Sequence, residues 1–226
     1  MILTVTAGKG GVGKSTVAYN LAAELDAVVV DADLGMADLP ESRGPDLHDV
    51  LAGRAAPVEA VREDGPVDLL PCGRSLAGAR AADATALVET VRRVADQYGR
   101  VVVDSPAGMR SDAGVPLLVG DACLLVTEPA RAAVADALRT RELARVVETP
   151  LARVVLNRVD PDRLDEPARA ERLATVLGAP VVAVPDSTAL ARAQQTGQPV
   201  RAVAPTATAT EQFGRLGNAV ATVLGD

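Results

Sequence analysis

The run Ala7-Gly8-Lys9-Gly10-Gly11-Val12-Gly13-Lys14-Ser15-Thr16 fits the pattern G-x-x-x-x-G-K-[ST], with Gly8, Gly13, Lys14 and Ser15 at the fixed positions. Its chemistry is anion binding. Glycines let the backbone curl until successive N–H groups point into one concavity. A helix that starts there adds its positive end. Lys14 supplies a cation for the β- and γ-phosphates, and the Ser15 hydroxyl is a hard oxygen ligand suited to Mg²⁺. The expected nucleotide-binding set is therefore Gly8, Lys9, Gly10, Gly11, Val12, Gly13, Lys14, Ser15 and Thr16.

Acidic residues follow two other apolar runs. In Val30-Asp31-Ala32-Asp33, two carboxylates two apart at a strand end project to the same side. Such a carboxylate can hold metal-bound water or orient an attacking water. Val101-Val102-Val103-Asp104 is an apolar run closing on one aspartate, the pattern of a carboxylate that holds Mg²⁺. Asp31 and Asp33 thus join Lys14 as catalytic candidates, and Ser15, Asp33 and Asp104 are the metal candidates.

The elements that must position these groups alternate regularly. Apolar, β-branched runs at 2–6, 27–30, 67–70, 101–103, 123–126, 153–156 and 181–184 predict strands, several of them covered on both faces. Helical spacing covers 15–25, 83–98, 130–147, 166–177, 188–195 and about 210–224. This alternation predicts one α/β domain over 1–226, a doubly wound, mostly parallel sheet with helices on both faces. Residues 39–45, 105–116 and 197–205 are rich in Pro and Gly and are expected to be loops. In such folds ligands sit at the carboxyl ends of strands.

Composition bounds the rest. The 226 residues carry 23 Lys and Arg against 30 Asp and Glu, a net charge of −7. A nucleic-acid partner is therefore not favoured, since phosphate neutralisation needs a basic footprint. Lys9 and Lys14 are the only lysines in the chain, and both fall in the glycine loop. Two cysteines, Cys72 and Cys123, and one histidine, His48, argue against a cysteine- or histidine-based metal centre. No basic, apolar leader and no run of 18 apolar residues is present, so a cytoplasmic location is expected.

With Lys9 inside it, the loop Lys9-Gly10-Gly11-Val12-Gly13-Lys14-Ser15-Thr16 resembles the deviant Walker A loop of the MinD/ParA family of P-loop ATPases. The segment from Val30 to Leu39 and the stretch Asp104-Ser105-Pro106-Ala107-Gly108 resemble the two switch regions of MinD-type members. The resemblance implies an ATP-dependent homodimer in which Lys9, as a further catalytic candidate, reaches the partner's nucleotide and Asp33 is needed for hydrolysis, with Asp31 in support. It implies that Asn157, closing Val154-Val155-Leu156, reads the adenine edge; an asparagine that merely closes the loop is the alternative. Pro185, in Val184-Pro185-Asp186, would border the base through its backbone. ATP and Mg²⁺ are the implied cofactors.

The chain departs from that family in two respects. Its C-terminal pattern, with Phe213, Leu216, Val220 and Val223 on one face, carries a single cation, Arg215. A membrane-surface helix wants Lys and Arg on its polar face, so this one is expected to dock on the core. Arg139, Arg141 and Arg145 are the best basic cluster, with Glu142 and Glu148 beside them, and are expected to be ion-paired. Two functions remain open: a nucleotide-timed switch that positions or recruits a protein partner, or a partition ATPase that binds the nucleoid.

Overall fold

The computed structural model describes residues 1–34, 39, 44–73, 83–108, 114–164 and 166–225. Gly35, Met36, Ala37 and Asp38 of the first switch-like segment lie outside them, as do residues 40–43, 74–82 and 109–113. The strands are β1 Ile2–Ala7, β2 Val28–Asp31, β3 Leu69–Leu70, β4 Val101–Asp104, β5 Ala122–Thr127, β6 Leu151–Val159 and β7 Val181–Pro185. Among the described residues they form one sheet in the order β3-β2-β4-β1-β5-β6-β7, every strand pair parallel. Each strand was expected from its apolar run. Continuous burial explains why the runs are unbroken: β1, β2, β4 and β5 are buried at every position.

The helices are α1 Lys14–Leu25, α2 Leu47–Leu51, α3 Leu87–Tyr98, α4 Gly114–Val119, α5 Arg131–Val146, α6 Pro167–Leu177, α7 Thr188–Gln195, α8 Val200–Val203 and α9 Thr208–Leu224. Successive valines of a strand serve opposite faces. Val29 and Val102 pack with Val17 and Leu21 of α1 and with Phe213, Leu216 and Val220 of α9. Their neighbours Val28, Val30, Val101 and Val103 pack with Leu47, Leu87, Val91 and Val94 on the other face. The C-terminal helix docks on the core as expected, although Val223 at its end is 47% exposed.

Two expected loops contain helix. α4 begins inside the 105–116 stretch, because Pro116 falls in its first turn, where no backbone N–H is needed. α8 begins just after Pro199, whose extended backbone serves as its cap.

Candidate functional site

The strand order creates the site. The chain runs from β1 outward through β2 on one side, then crosses to β5, β6 and β7 on the other. The reversal falls at β1, and a crevice at the carboxyl ends is the expected ligand position. In register, Asp31 lies beside Asp104, and Asp104 beside Val5 of β1. Four of the signature positions therefore converge from three adjacent strands: Asp31, Asp104, and the loop that carries Lys9 and Lys14.

The phosphate loop is shaped by its glycines. Gly13, with φ of 87°, caps α1 in the left-handed region, and a Cβ there would run into the Asn157 amide. A side chain on Gly8 would overlap the backbone of Asp136 in α5. At Gly10 and Gly11, by contrast, a Cβ would meet only open space. The loop is wedged against protein at both ends and open in the middle, where a phosphate chain would lie.

Beneath it, Lys14 Nζ lies 2.6 Å from Asp104 Oδ1, with the two side chains 6% and 0% exposed. Asp31 is buried beside them. Its Oδ1 accepts the Asp33 N–H at 3.3 Å, and its Oδ2 has no hydrogen-bond partner among the described residues. Burial, and then the neighbouring Asp104 charge, push the Asp31 carboxyl up to about 8, against the pull of the Asp33 N–H and Lys14. Folded Asp31 therefore keeps a proton that an unfolded aspartate loses near 3.8, and stability is lost as pH rises through about 8. The nucleotide-free protein in chelator should melt at a lower temperature near about pH 9 than near about pH 6.5. Asp31→Asn should shrink that drop. An equal drop in both proteins would show that Asp31 is not its source.

These groups fit a magnesium site. The Ser15 hydroxyl and the Asp104 and Asp33 carboxylates are hard oxygen donors, the buried Asp31 carboxyl beside them keeps one oxygen without a partner among the described residues, and the cation of Lys14 already sits on Asp104.

Asp33 lies in the first switch-like segment, just past β2. Its carbonyl accepts from the Cys72 thiol at 3.1 Å, and that thiol lies 3.5 Å from His48 Nε2, which in turn lies 3.2 Å from the Leu34 carbonyl oxygen. Cys72 is thus fully buried against the Asp33 carbonyl, and burial raises its thiol, so it is packing and not a reactive group. Asp104-Ser105-Pro106-Ala107-Gly108 turns back onto β1: the Ser105 and Gly108 N–H groups donate to the carbonyls of Val5 and Ala7, each at 3.1 Å.

On the far side, Asn157 is buried, and its Nδ2 donates to the Val12 carbonyl at 2.8 Å. It ties the end of β6 to the phosphate loop. Pro185 closes β7, paired with Val159. Lys9 stands at the loop rim, its side chain 39% exposed and its Nζ 3.0 Å from Glu128 Oε2; Arg158 Nη1 lies 2.6 Å from Glu128 Oε1. The buried Thr127 hydroxyl, without a hydrogen-bond partner among the described residues, closes β5 and Glu128 follows it; both were missed in the sequence. The pattern that pointed to Asp31 and Asp104, a polar residue straight after an apolar run, applies to Thr127, and Glu128 is the next residue. A cleft of about 340 Å³ opens beside Ser15 and Thr16, between α1 and residues 194–198.

Arg139 pairs with Asp136 at 2.7 Å, Arg141 with Glu142 at 3.4 Å, and Arg145 with Glu142 at 3.9 Å. No helix among the described residues is long and apolar enough to cross a membrane.

Known proteins share this fold. The family profile described as "CobQ/CobB/MinD/ParA nucleotide binding domain" matches residues 3–200. An uncharacterised ATP-binding protein of Methanocaldococcus jannaschii is 36% identical over 197 residues, covering 82% of this chain and 74% of its own. The cell division ATPase MinD of Pyrococcus furiosus superposes with a TM-score of 0.88 at 28% identity, over 98% of both chains. MinD of Pyrococcus horikoshii, solved in complex with Mg-ADP, gives 0.87 at 26% identity, over 99% of this chain and 97% of its own. A seven-stranded parallel sheet, a glycine loop with both lysines, and a profile match over residues 3–200 place this chain in the CobQ/CobB/MinD/ParA family of nucleotide-binding ATPases.

Proposed function

We propose that the chain is a Mg·ATP-dependent switch in which two copies close face to face over two ATP molecules, hydrolyse them slowly and separate. The observation that carries this reading is the division of labour between its two lysines. Lys14 is buried on Asp104 under the loop, while Lys9 stands at the rim, exposed enough to reach a second molecule.

In this reading the N–H groups of Gly8 to Thr16 bind the phosphates, and Lys14 leaves Asp104 to neutralise them. Ser15, Asp104 and Asp33 hold Mg²⁺, which supplies charge neutralisation for the phosphate oxygens. Asp33 orients the attacking water, and Asp31 supports it from below. Asn157, its Nδ2 committed to Val12, offers its carbonyl oxygen to the adenine amino group, and the Pro185 backbone borders the ring. Turnover is slow until a partner completes the site.

The partner is a protein. The cell division ATPase MinD is among the solved relatives, and the arginines that could serve a nucleoid-binding face are paired with Asp136 and Glu142. The overall acidity opposes duplex DNA as well.

The test is ATP turnover and ATP affinity, measured on the wild type and on Asp33→Ala. The variant should lose hydrolysis by roughly a hundredfold or more while still binding ATP·Mg²⁺, because positioning the water is a transition-state contribution. Unchanged turnover would remove Asp33 from the mechanism.

A further inference from the structure

Glu128 belongs to no part of the mechanism above, yet it holds the residue on which that mechanism turns. It follows directly on β5, and its side chain is 17% exposed. One carboxylate oxygen takes Lys9 at 3.0 Å and the other takes Arg158 at 2.6 Å. Arg158 is itself specially placed. Its φ is 55°, in the left-handed region, where the β6–β7 register slips between Leu156 and Val159. The slip turns Arg158 out of the sheet and toward the end of β5. Burial raises the Glu128 carboxyl, and the hydrogen bonds and charges of Lys9 and Arg158 reverse this, leaving it below the ordinary range.

We propose that Glu128 is a resting-state catch for Lys9, and that Arg158 sets its strength by competing for the same carboxylate. The proposal rests on the reading that Lys9 crosses to a partner's nucleotide. Lys9 cannot do both: its single ammonium, while on Glu128, is drawn back toward its own β5. Closing the dimer therefore breaks two such pairs, one in each protomer. Arg158 then keeps Glu128 neutralised after Lys9 departs, so that no bare carboxylate is left beside the phosphates. Glu128 is a positioning residue, acting only through Lys9.

The competition predicts effects of opposite sign. Glu128→Gln removes the catch, and the protein concentration at half-dimerisation in ATP·Mg²⁺ should fall by about fivefold, since two half-exposed ion pairs of modest strength no longer need breaking. Arg158→Gln leaves Lys9 as the only cation on Glu128, and the half-dimerisation concentration should rise. A merely structural role gives the same sign for both, because each variant loses one ion pair of the folded chain. Lys9→Ala separates the two levels of the argument. If Lys9→Ala still dimerises normally with ATP, the crossing lysine is wrong and the catch falls with it. If Lys9→Ala fails to dimerise but Glu128→Gln and Arg158→Gln leave the concentration unchanged or move it the same way, the crossing lysine stands and the catch is overturned. In the double variant Lys9→Ala/Glu128→Gln, the gain from Glu128→Gln should vanish.

Discussion

Lys14→Ala is expected to abolish ATP hydrolysis and to destabilise the nucleotide-free protein at once. Lys14 is 6% exposed and bonded to a fully buried Asp104, with buried Asp31 next to it in register. Removing one partner of a buried ion pair costs about 3–5 kcal/mol, because the remaining charge stays desolvated. Here two neighbouring carboxylates would stay behind, so the loss should be largest at alkaline pH and smaller at acid pH, where Asp31 carries its proton. Turnover should fall by roughly a hundredfold to a thousandfold, as for other preorganised charges aimed at a developing anion. Denaturant melts at two pH values and a phosphate-release assay check both halves. A variant as stable as the wild type at alkaline pH would mean that the Lys14–Asp104 pair is not the anchor of this site.

The second large effect is expected from Gly13→Ala. Gly13 adopts φ of 87°, and a Cβ would collide with the Asn157 amide that donates to the Val12 carbonyl. The substitution combines a strained left-handed backbone with a displaced buried hydrogen bond, together costing about 2–4 kcal/mol. Nucleotide affinity should suffer as well, since the N–H groups at the start of α1 shift with the loop. A loss on the order of a hundredfold in ADP affinity is expected by calorimetry. Gly10→Ala makes the comparison, because its added methyl meets nothing and should spare the fold. Equal behaviour of the two variants would contradict the wedged-loop picture.

The sheet and the P-loop could be read from the sequence because their signals are local. Val101-Val102-Val103 has nowhere to be but a doubly covered strand, and Gly8, Gly13, Lys14 and Ser15 are spaced by the geometry of a single turn. What could not be read depends on which strands become neighbours. Asp31 stands beside Asp104 only because β2 pairs with β4, and its raised carboxyl follows from that adjacency. Glu128 meets Lys9 only because β5 pairs with β1. The role of Asn157 splits along the same line: its place at the end of β6 was legible, but its bond to Val12, 145 residues away, was not. Short helices escaped for a different reason. α4 and α8 sit among prolines that also mark loops, and a few residues cannot show a period.

The central claim is that ATP, and not ADP, brings two copies together. It is tested most directly by light-scattering mass of the wild type and Asp33→Ala with ATP·Mg²⁺ and with ADP, at two salt concentrations because the chain is acidic. The account predicts that Asp33→Ala holds a dimer with ATP and a monomer with ADP, while the wild type dimerises and then returns to monomer as ATP is consumed. Both proteins remaining monomeric with ATP bound would contradict it.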